Sequence, residues 1–421
     1  MTNFLSTNPF TQEVLGEYET DTPAILQKKL QLAEKAFLRW KKVPISEKSD
    51  LLLKLAAVLE QEKEQYAQTI SLEMGKIIRE ARAEVEKCAS LCLYYAKNAE
   101  KHLASKTISS HYTKSYVSFQ PLGAILAIMP WNFPFWQALR FAVPALIAGN
   151  VGLLKHAPNV PLCSLLIEDL FRKAGFEEGV FQNVFADIAD VESIIASKIV
   201  QALSLTGSER AGSAVASLAG KYLKKSVLEL GGSDAFIVLD DADLPFAIEN
   251  ARLSRMLNNG QSCIAAKRFI VLEKMYEDFL EGLRESFAKL HFGNPLDESS
   301  DYACLARPDL AENLARQVKQ SLAMGAKMIV GSAEAEKTFF QPTILSNIQT
   351  DMPVFTEETF GPVAAVVSAK NEQEAIDLAN LSVYGLGASV WSQDNKRAEK
   401  IALELQAGTC SINSIVKSTP E

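Results

Sequence analysis

The sequence predicts an α/β fold of two doubly wound domains, and three observations carry that prediction. From Gly123 onward, short strands of unbroken apolar residues alternate with longer helical stretches, the pattern of a parallel sheet covered on both faces. A second alternating series begins at "AFIVLDDADL", from Ala235. No Gly/Ser-rich linker separates the two series and no internal repeat relates them, which predicts a tightly packed boundary near Gly232. At 421 residues the chain is long enough for two domains with large cores. The expected division is residues 1–111 and 122–232 for one domain, 112–121 for a small arm, and 233–421 for the second domain.

The first hundred residues read as helices, with apolar positions at helical spacing in "ILQKKLQLAEKAFLRW" and again in "SEKSDLLLKLAAVLEQEKEQYAQTI", and they form a wrapper around the rest of the chain. "TKSYVSFQPLG" alternates like a strand and reads as an arm reaching outward. Then come the strand "AILAIM", a helix from Pro134 toward Gly149, the strand "VGLLK", the helix "PLCSLLIEDLFRKAG" and the strand "FQNVFA". A short helix near Val191 to Ala196, the strand "ALSLTG", another helix and the strand "SVLEL" complete the first series. The second series runs through "KRFIVLE", "KMIVG", "VAAVVSA" and "GASVWS". Doubly wound sheets bind ligands at the carboxyl ends of their strands, so "MPWNFP", "KHAPN", "TGSERAG" and "ELGG" fall on the functional edge.

The run from Ser115 to Leu139 holds 25 residues without a charge, long enough to cross a bilayer as a helix. Pro121, Pro130 and Pro134 lie inside it and would break that helix three times, so a buried strand, a turn and a helix are expected instead. Hydrophobic residues make up 48% and charged residues 22%, an ordinary globular composition. The net charge of -8 argues against nucleic acid or an acidic membrane as a general partner. "MTNFLSTNPF" has no basic region followed by an apolar one, so no secretory signal is expected and the expected location is cytoplasmic. Six cysteines without a CxxC fit a reduced compartment, and four scattered histidines predict no dedicated metal site. Cys88 and Cys92, four apart, are expected to share one helix face.

Two positions and one turn stand out chemically. "LTGSERAG" places Thr206, Gly207 and Ser208 between a strand end and a helix start, where free N–H groups and the helix dipole suit a phosphate; a plain capped turn looks the same. Cys263 in "NNGQSC" becomes a nucleophile only as a thiolate, which needs N–H groups, a helix end or a cation nearby; a buried inert thiol is the alternative. Glu229 in "VLELGG" follows an apolar strand core, as a paired or poised carboxylate or as a strand-end residue facing water.

Together "PWNFP", "LTGSERAG", "LELGGSD", "NNGQSC", "EETFGPV" and "YGLGASVWS", in this order, resemble the aldehyde dehydrogenase superfamily over nearly the whole chain. The resemblance implies a Rossmann-like NAD(P)-binding domain, a catalytic domain and an oligomerisation arm. It also implies oxidation of an aldehyde to a carboxylic acid. Cys263 would form a thiohemiacetal and then a thioester, Asn132 would donate to the oxyanion, and Glu229 would act as general base, helped by burial. For the cofactor it implies Lys155 at the adenosine ribose, Thr206, Gly207 and Ser208 at the phosphates, and Glu358 at the nicotinamide ribose. Phe360, Trp131 and Leu230 would line the same channel, Trp131 having core packing as its alternative.

Arg140 interrupts an otherwise apolar helix, where burial without an anion would be costly. The succinic semialdehyde group of the superfamily resembles this chain in carrying arginine there, and a guanidinium fork suits the far carboxylate of succinic semialdehyde. A structural salt bridge is the alternative. A second arginine found six residues before the cysteine in some members is Leu257 here. After Lys155, His156, Ala157 and Pro158 neither repel a 2′-phosphate nor donate a hydroxyl to it, so use of both NAD and NADP with NAD ahead is expected.

Relatives continue where this chain ends in "SINSIVKSTPE", so a tail of a few tens of residues is expected to be missing, leaving an unpaired edge around "TKSYVSFQ". The family implies a homo-oligomer, dimer or tetramer, and the missing tail places that in doubt. Two other readings stay open at this point: a weakly active or inactive homologue retaining nucleotide binding, and an enzyme that hands its acyl group to coenzyme A.

Overall fold

A computed structural model describes residues 3–420. The chain opens on a hairpin, β1 (Asn3–Thr7) and β2 (Val14–Glu19), where the sequence suggests helix throughout. Four helices come next: α1 (Pro23–Trp40), α2 (Ile45–Gln61), α3 (Lys63–Met74) and α4 (Ile78–Leu103). Thr22 caps α1 by accepting from the Ile25 N–H, and Pro23 takes the first-turn position where its missing N–H costs nothing. Along α4 the buried positions Ile78, Ala81, Glu84, Val85, Cys88, Ala89 and Cys92 form one stripe, so the two cysteines do share a face. Glu84 is the acidic intruder in that stripe.

The arm is shorter in pairing and earlier in sequence than alternation suggests. Its ribbon is two residues deep, β3 (Lys106–Thr107) against β4 (Tyr116–Val117). Ile108, Tyr112, Tyr116, Val117 and Phe119 on and beside it are exposed.

The first sheet contains β5 (Ala124–Met129), β6 (Val151–His156), β7 (Phe181–Asn183), β8 (Val200–Thr206) and β9 (Lys225–Glu229). They are connected by α5 (Pro134–Ile147), α6 (Pro161–Lys173), α7 (Ile188–Ala196) and α8 (Glu209–Lys221). Every pairing is parallel and the order is β7-β6-β5-β8-β9. The chain therefore reverses direction across the sheet at β5, and the carboxyl end of β5 is a topological switch point. The turn carrying Trp131 and Asn132 leaves the sheet there.

The second sheet begins after Gly232. Its strands are β10 (Asp234–Val238), β11 (Ala266–Leu272), β12 (Lys327–Val330), β15 (Thr343–Ser346), β16 (Val363–Ala369), β17 (Gly387–Trp391) and β18 (Thr409–Ile412), with a separate small hairpin of β13 (Ala335–Glu336) and β14 (Phe339–Phe340). The order is β12-β15-β16-β11-β10-β17-β18, parallel except for β12, which runs antiparallel to β15 at the edge. The helices are α9 (Leu244–Met256), α10 (Glu273–Ala288), α11 (Pro308–Ala323), α12 (Pro353–Thr356), α13 (Glu372–Asn380) and α14 (Asn395–Ala402). Alternate residues of β10 feed different cores: Phe236 joins Phe269 and Trp391 on one face, and Ile237 joins Ile270 and Val390 on the other. Both faces being covered explains why the strand reads as an unbroken apolar run.

No helix among the described residues is long and apolar enough to cross a membrane. The uncharged run is β4, β5, the turn beyond it and the first part of α5.

Candidate active site

The cysteine loop is built by an unusual backbone. After α9, Asn258 and Asn259 both take φ near 55° and Gly260 takes 78°, three left-handed residues in succession. Such a conformation costs about 1–2 kcal/mol for each residue with a side chain, so something must hold it. Asn258 Nδ2 donates to the carbonyls of Asn132 (2.7 Å) and Gln261 (3.1 Å), and Asn259 Nδ2 to those of Gly75 and Cys304. Asn259 Oδ1 accepts from the Ala303 N–H and Gln261 Oε1 from the Ala306 N–H. A Cβ on Gly260 would lie 2.3 Å from the Gly361 carbonyl carbon, which explains glycine where this loop meets "EETFGPV". The loop delivers Cys263 just ahead of β11. Burial pushes the Cys263 thiol up, Lys267 and Arg140 pull it down, and Glu358 and Asp234 push it up again.

Asn132 is buried on the facing turn, and its amide donates to the Gln261 carbonyl at 3.1 Å. An amide nitrogen has two hydrogens, so one N–H remains for another acceptor beside the cysteine loop, while Oδ1 has no partner among the described residues. The turn is fastened from the N-terminal helices. Lys76 Nζ donates to the Asn132 carbonyl at 3.0 Å, lies 3.8 Å from the centre of the Phe133 ring, and forms a fully buried ion pair with Glu84. Glu84 Oε1 in turn accepts from the Phe135 and Trp136 N–H groups at 2.9 Å, satisfying the start of α5. Glu73 does the same for α6 through the N–H groups of Leu162 and Cys163.

Glu229 ends β9, paired and partly facing water, without the burial that the family resemblance implies for a general base. Its side chain is 41% exposed rather than buried, because β9 is the sheet's edge strand, and it stands 3.6 Å from Arg140 Nη2. Arg140 on α5 is also only half-buried, 31% exposed, and its Nη1 lies at 3.5 Å from Ser418 Oγ. The premise that Arg140 is buried without an anion does not hold, and the ion-pair alternative is present, with Glu229 as the partner.

The carboxyl edge of the first sheet gathers the remaining candidates. Lys155 is buried near the end of β6, where burial pulls its ammonium down. His156 points inward, donating from Nε2 to the Pro134 carbonyl and accepting at Nδ1 from the Ala157 N–H, both at 2.9 Å; burial pushes it down to about 4. Thr206 ends β8, the Gly207 N–H donates to the Glu229 carbonyl, and Ser208 caps α8 through the Ala211 N–H. Leu230 packs on α8, its Cδ2 being 2.5 Å from where a Cβ on Gly212 would sit. Glu358 Oε1 accepts from the Gly232 N–H at 3.0 Å, and its Oε2 lies 2.6 Å from the place of a Cβ on Gly231. Trp131 and Phe360 meet edge to face at 5.7 Å, with the Arg307 guanidinium over Trp131.

Sequence reasoning missed Lys76, Glu84, Asn258, Asn259 and Lys267. Two signals were available: an acidic residue inside the apolar stripe of α4, and Lys267 beside Arg268 near the start of a buried strand whose other residues are apolar.

The residues 2–421 match the model of the Aldehyde dehydrogenase family. The chain is 42% identical over 419 residues to the NADP(+) succinate-semialdehyde dehydrogenase 1 of Mycobacterium tuberculosis, covering 98% of this chain and 92% of that one. It is 40% identical over 420 residues to the NADP(+) succinate-semialdehyde dehydrogenase of Deinococcus radiodurans, covering 99% and 88%. Among solved structures, the succinic semialdehyde dehydrogenase from Streptococcus pyogenes in complex with NADP+ superposes with a TM-score of 0.97 at 37% identity, over 99% of this chain and 92% of that one. The stretch of these relatives without a counterpart is therefore small. The match takes in both sheets and the loops that carry Asn132, Cys263 and Glu358, and the chain belongs to the aldehyde dehydrogenase family.

Proposed function

We propose that the protein oxidises succinic semialdehyde to succinate with NADP+ as the hydride acceptor. The observation that carries the substrate is the position of Arg140, whose guanidinium lies 3.6 Å from the Glu229 carboxylate and whose charge acts on the Cys263 thiol. An anion bound there sits beside both groups, and a guanidinium fork takes a carboxylate in two parallel hydrogen bonds. The names of the relatives support the same substrate.

The Cys263 sulfur adds to the aldehyde carbon, and the carbonyl oxygen takes up negative charge as the C–S bond forms. The spare N–H of Asn132 and the Cys263 backbone N–H receive that charge. Lys76 and Glu84 act through Asn132 by fixing the turn that carries it. Glu229 takes a proton from the water that attacks the thioester carbon, which breaks the C–S bond and releases the product carboxylate.

The carboxyl edge fits a nicotinamide dinucleotide. Beyond Ser208 the first N–H groups of α8 have no acceptor within the helix, which suits the phosphates with Thr206 and Gly207 alongside. Glu358, with glycine at position 231 leaving it room, suits ribose hydroxyls, while Trp131, Phe360 and Leu230 supply apolar wall. When bound, the nicotinamide accepts the hydride. Lys155 supplies positive charge at the adenosine end, and with Ala157 and Pro158 after it no carboxylate there repels a 2′-phosphate. The preference for NAD expected from this stretch finds no support among the relatives, whose names specify NADP(+). The exposed aromatic side chains of the arm support self-association.

The deciding experiment supplies purified protein with succinic semialdehyde and NADP+, without coenzyme A. Growth of the reduced-nicotinamide absorbance that is lost in Cys263→Ala is expected. A folded protein that binds NADP+ but gives no growth overturns the reading, and growth only with coenzyme A replaces hydrolysis by acyl transfer.

A further inference from the structure

Lys267 is the second residue of β11, four residues after Cys263, and has no exposed side-chain surface. Its ammonium has three hydrogens and finds three backbone acceptors, the carbonyls of Ser262 (3.0 Å), Cys263 (2.9 Å) and Ala265 (3.1 Å). One side chain thus closes the loop that carries the nucleophile. A lysine is almost never wholly buried without an opposing charge, and here Glu358 Oε1 lies at 3.7 Å.

Burial holds the Cys263 thiol above its ordinary value, and among the charges around it Lys267 opposes that rise most strongly. Lys267, Glu358, Asp234 and Arg140 act on it directly. Behind them Arg255 acts on Glu358 and Asp234, and Arg268 on Asp234. Arg255 gives one hydrogen bond, Nη2 to the Gly260 carbonyl at 2.6 Å, and its Nε and Nη1 have no partner among the described residues. Arg268 donates only to backbone carbonyls, those of Ser233, Leu378 and Ala379. Three buried cations therefore face the two carboxylates of Asp234 and Glu358, and a thiolate at Cys263 balances the group.

We propose that Lys267 is a positioning residue for the nucleophile, holding the Cys263 loop by its carbonyls and supplying the buried positive charge against which the Cys263 thiolate forms. On ionisation the S–H bond breaks, the electron pair stays on sulfur and the proton passes to water. The proposal rests on Cys263 being the nucleophile, as argued above.

The test is the rate of Cys263 alkylation by iodoacetamide against pH, read by mass on the peptide that contains it, in the full chain. Lys267→Gln keeps an N–H donor for the carbonyls and removes the charge; Lys267→Arg keeps the charge. The midpoint of the alkylation profile is expected to rise by about one pH unit or more in Lys267→Gln, and to return toward that of the unsubstituted protein in Lys267→Arg. A slower reaction with an unmoved midpoint is what a purely structural role gives, and it overturns the proposal. If Lys267→Gln does not fold, as judged by circular dichroism, Lys267→Met replaces it: removing the ammonium on a chain of similar length must raise the midpoint, and a midpoint that stays or falls overturns the proposal. Cys263→Ala separates the two claims. Retained aldehyde oxidation in that variant removes the nucleophile assignment itself, whereas lost oxidation with an unmoved Lys267→Gln midpoint removes only the role of Lys267.

Discussion

Arg140 Nη2 and Glu229 Oε1 stand 3.6 Å apart, so the residue proposed to hold the substrate's carboxylate and the residue proposed to activate water share one ion pair. Both side chains are partly solvated, which keeps the pair weak, of order 1 kcal/mol or less. A substrate carboxylate can therefore take Arg140 from Glu229 at little cost.

Arg140→Leu is expected to raise KM for succinic semialdehyde about 10- to 100-fold, since hydrogen bonds between charged groups contribute about 1.5–3 kcal/mol. An uncharged aldehyde of the same length serves as control and should change little. Equal effects on both aldehydes would remove the carboxylate clamp.

Asn132→Ala should lower kcat about 10²–10³-fold with little change in KM, the cost of one oxyanion donor. Because the same amide donates to the Gln261 carbonyl, a small loss of stability should accompany it. Steady-state kinetics beside a thermal melt separates the two; a fall in kcat no larger than severalfold would show that the spare N–H is aimed elsewhere.

Glu229→Gln tests hydrolysis apart from oxidation. The first turnover of reduced nicotinamide should survive as a burst while the steady rate falls about 10²–10⁴-fold, the span of general-base catalysis. Stopped-flow absorbance reads both phases, and loss of the burst itself would place Glu229 in the earlier step.

Glu84→Ala should destabilise the protein by about 3–5 kcal/mol, as removing one partner of a buried ion pair does. It leaves Lys76 buried and strips the acceptor from the Phe135 and Trp136 N–H groups. Urea unfolding gives the number, and kcat should fall with it because the Asn132 turn loses its anchor.

His156 gives a pH dependence of known sign. Its folded pKa of about 4 lies below the ordinary value of 6.5, so between these values the unfolded chain binds a proton that the native chain does not. The stability associated with neutral His156 is complete above pH 6.5 and declines as pH falls toward 4, by about 3 kcal/mol at the limit. Asp234, pushed up to about 6 by burial, works in the opposite direction over part of that range. The difference between the unsubstituted protein and His156→Gln, in urea midpoints at about pH 7 and about pH 5, isolates the histidine. Parallel losses in both proteins would refute its part.

Much of the architecture was legible because it obeys local rules. Unbroken apolar strands alternating with helices made the doubly wound sheets readable, and three prolines ruled out a membrane helix without any knowledge of tertiary contacts. The antiparallel edge strand β12 was not legible, since an edge and a centre strand differ in their partners and hardly in their residues. Whether Glu229 is enclosed or faces water stayed open in the sequence for the same reason: only the strand order makes β9 an edge. The NNG stretch was visible, but only the loop's hydrogen bonds reveal that both asparagines are left-handed.

By itself the sequence determined the fold class and singled out Cys263, Asn132, Glu229 and Arg140 as candidate site residues. Periodicity, proline and glycine act over a few residues, and their effects are written into the chain in order. The tertiary structure alone decided what those residues face. Lys76 reaches Asn132 across 56 positions, Asn258 reaches the same carbonyl across 126, and Arg140 meets Glu229 from a helix on one side of the site and an edge strand on the other. Charge and hydrogen bonding depend on distance in space, and hydropathy along a chain carries no record of it.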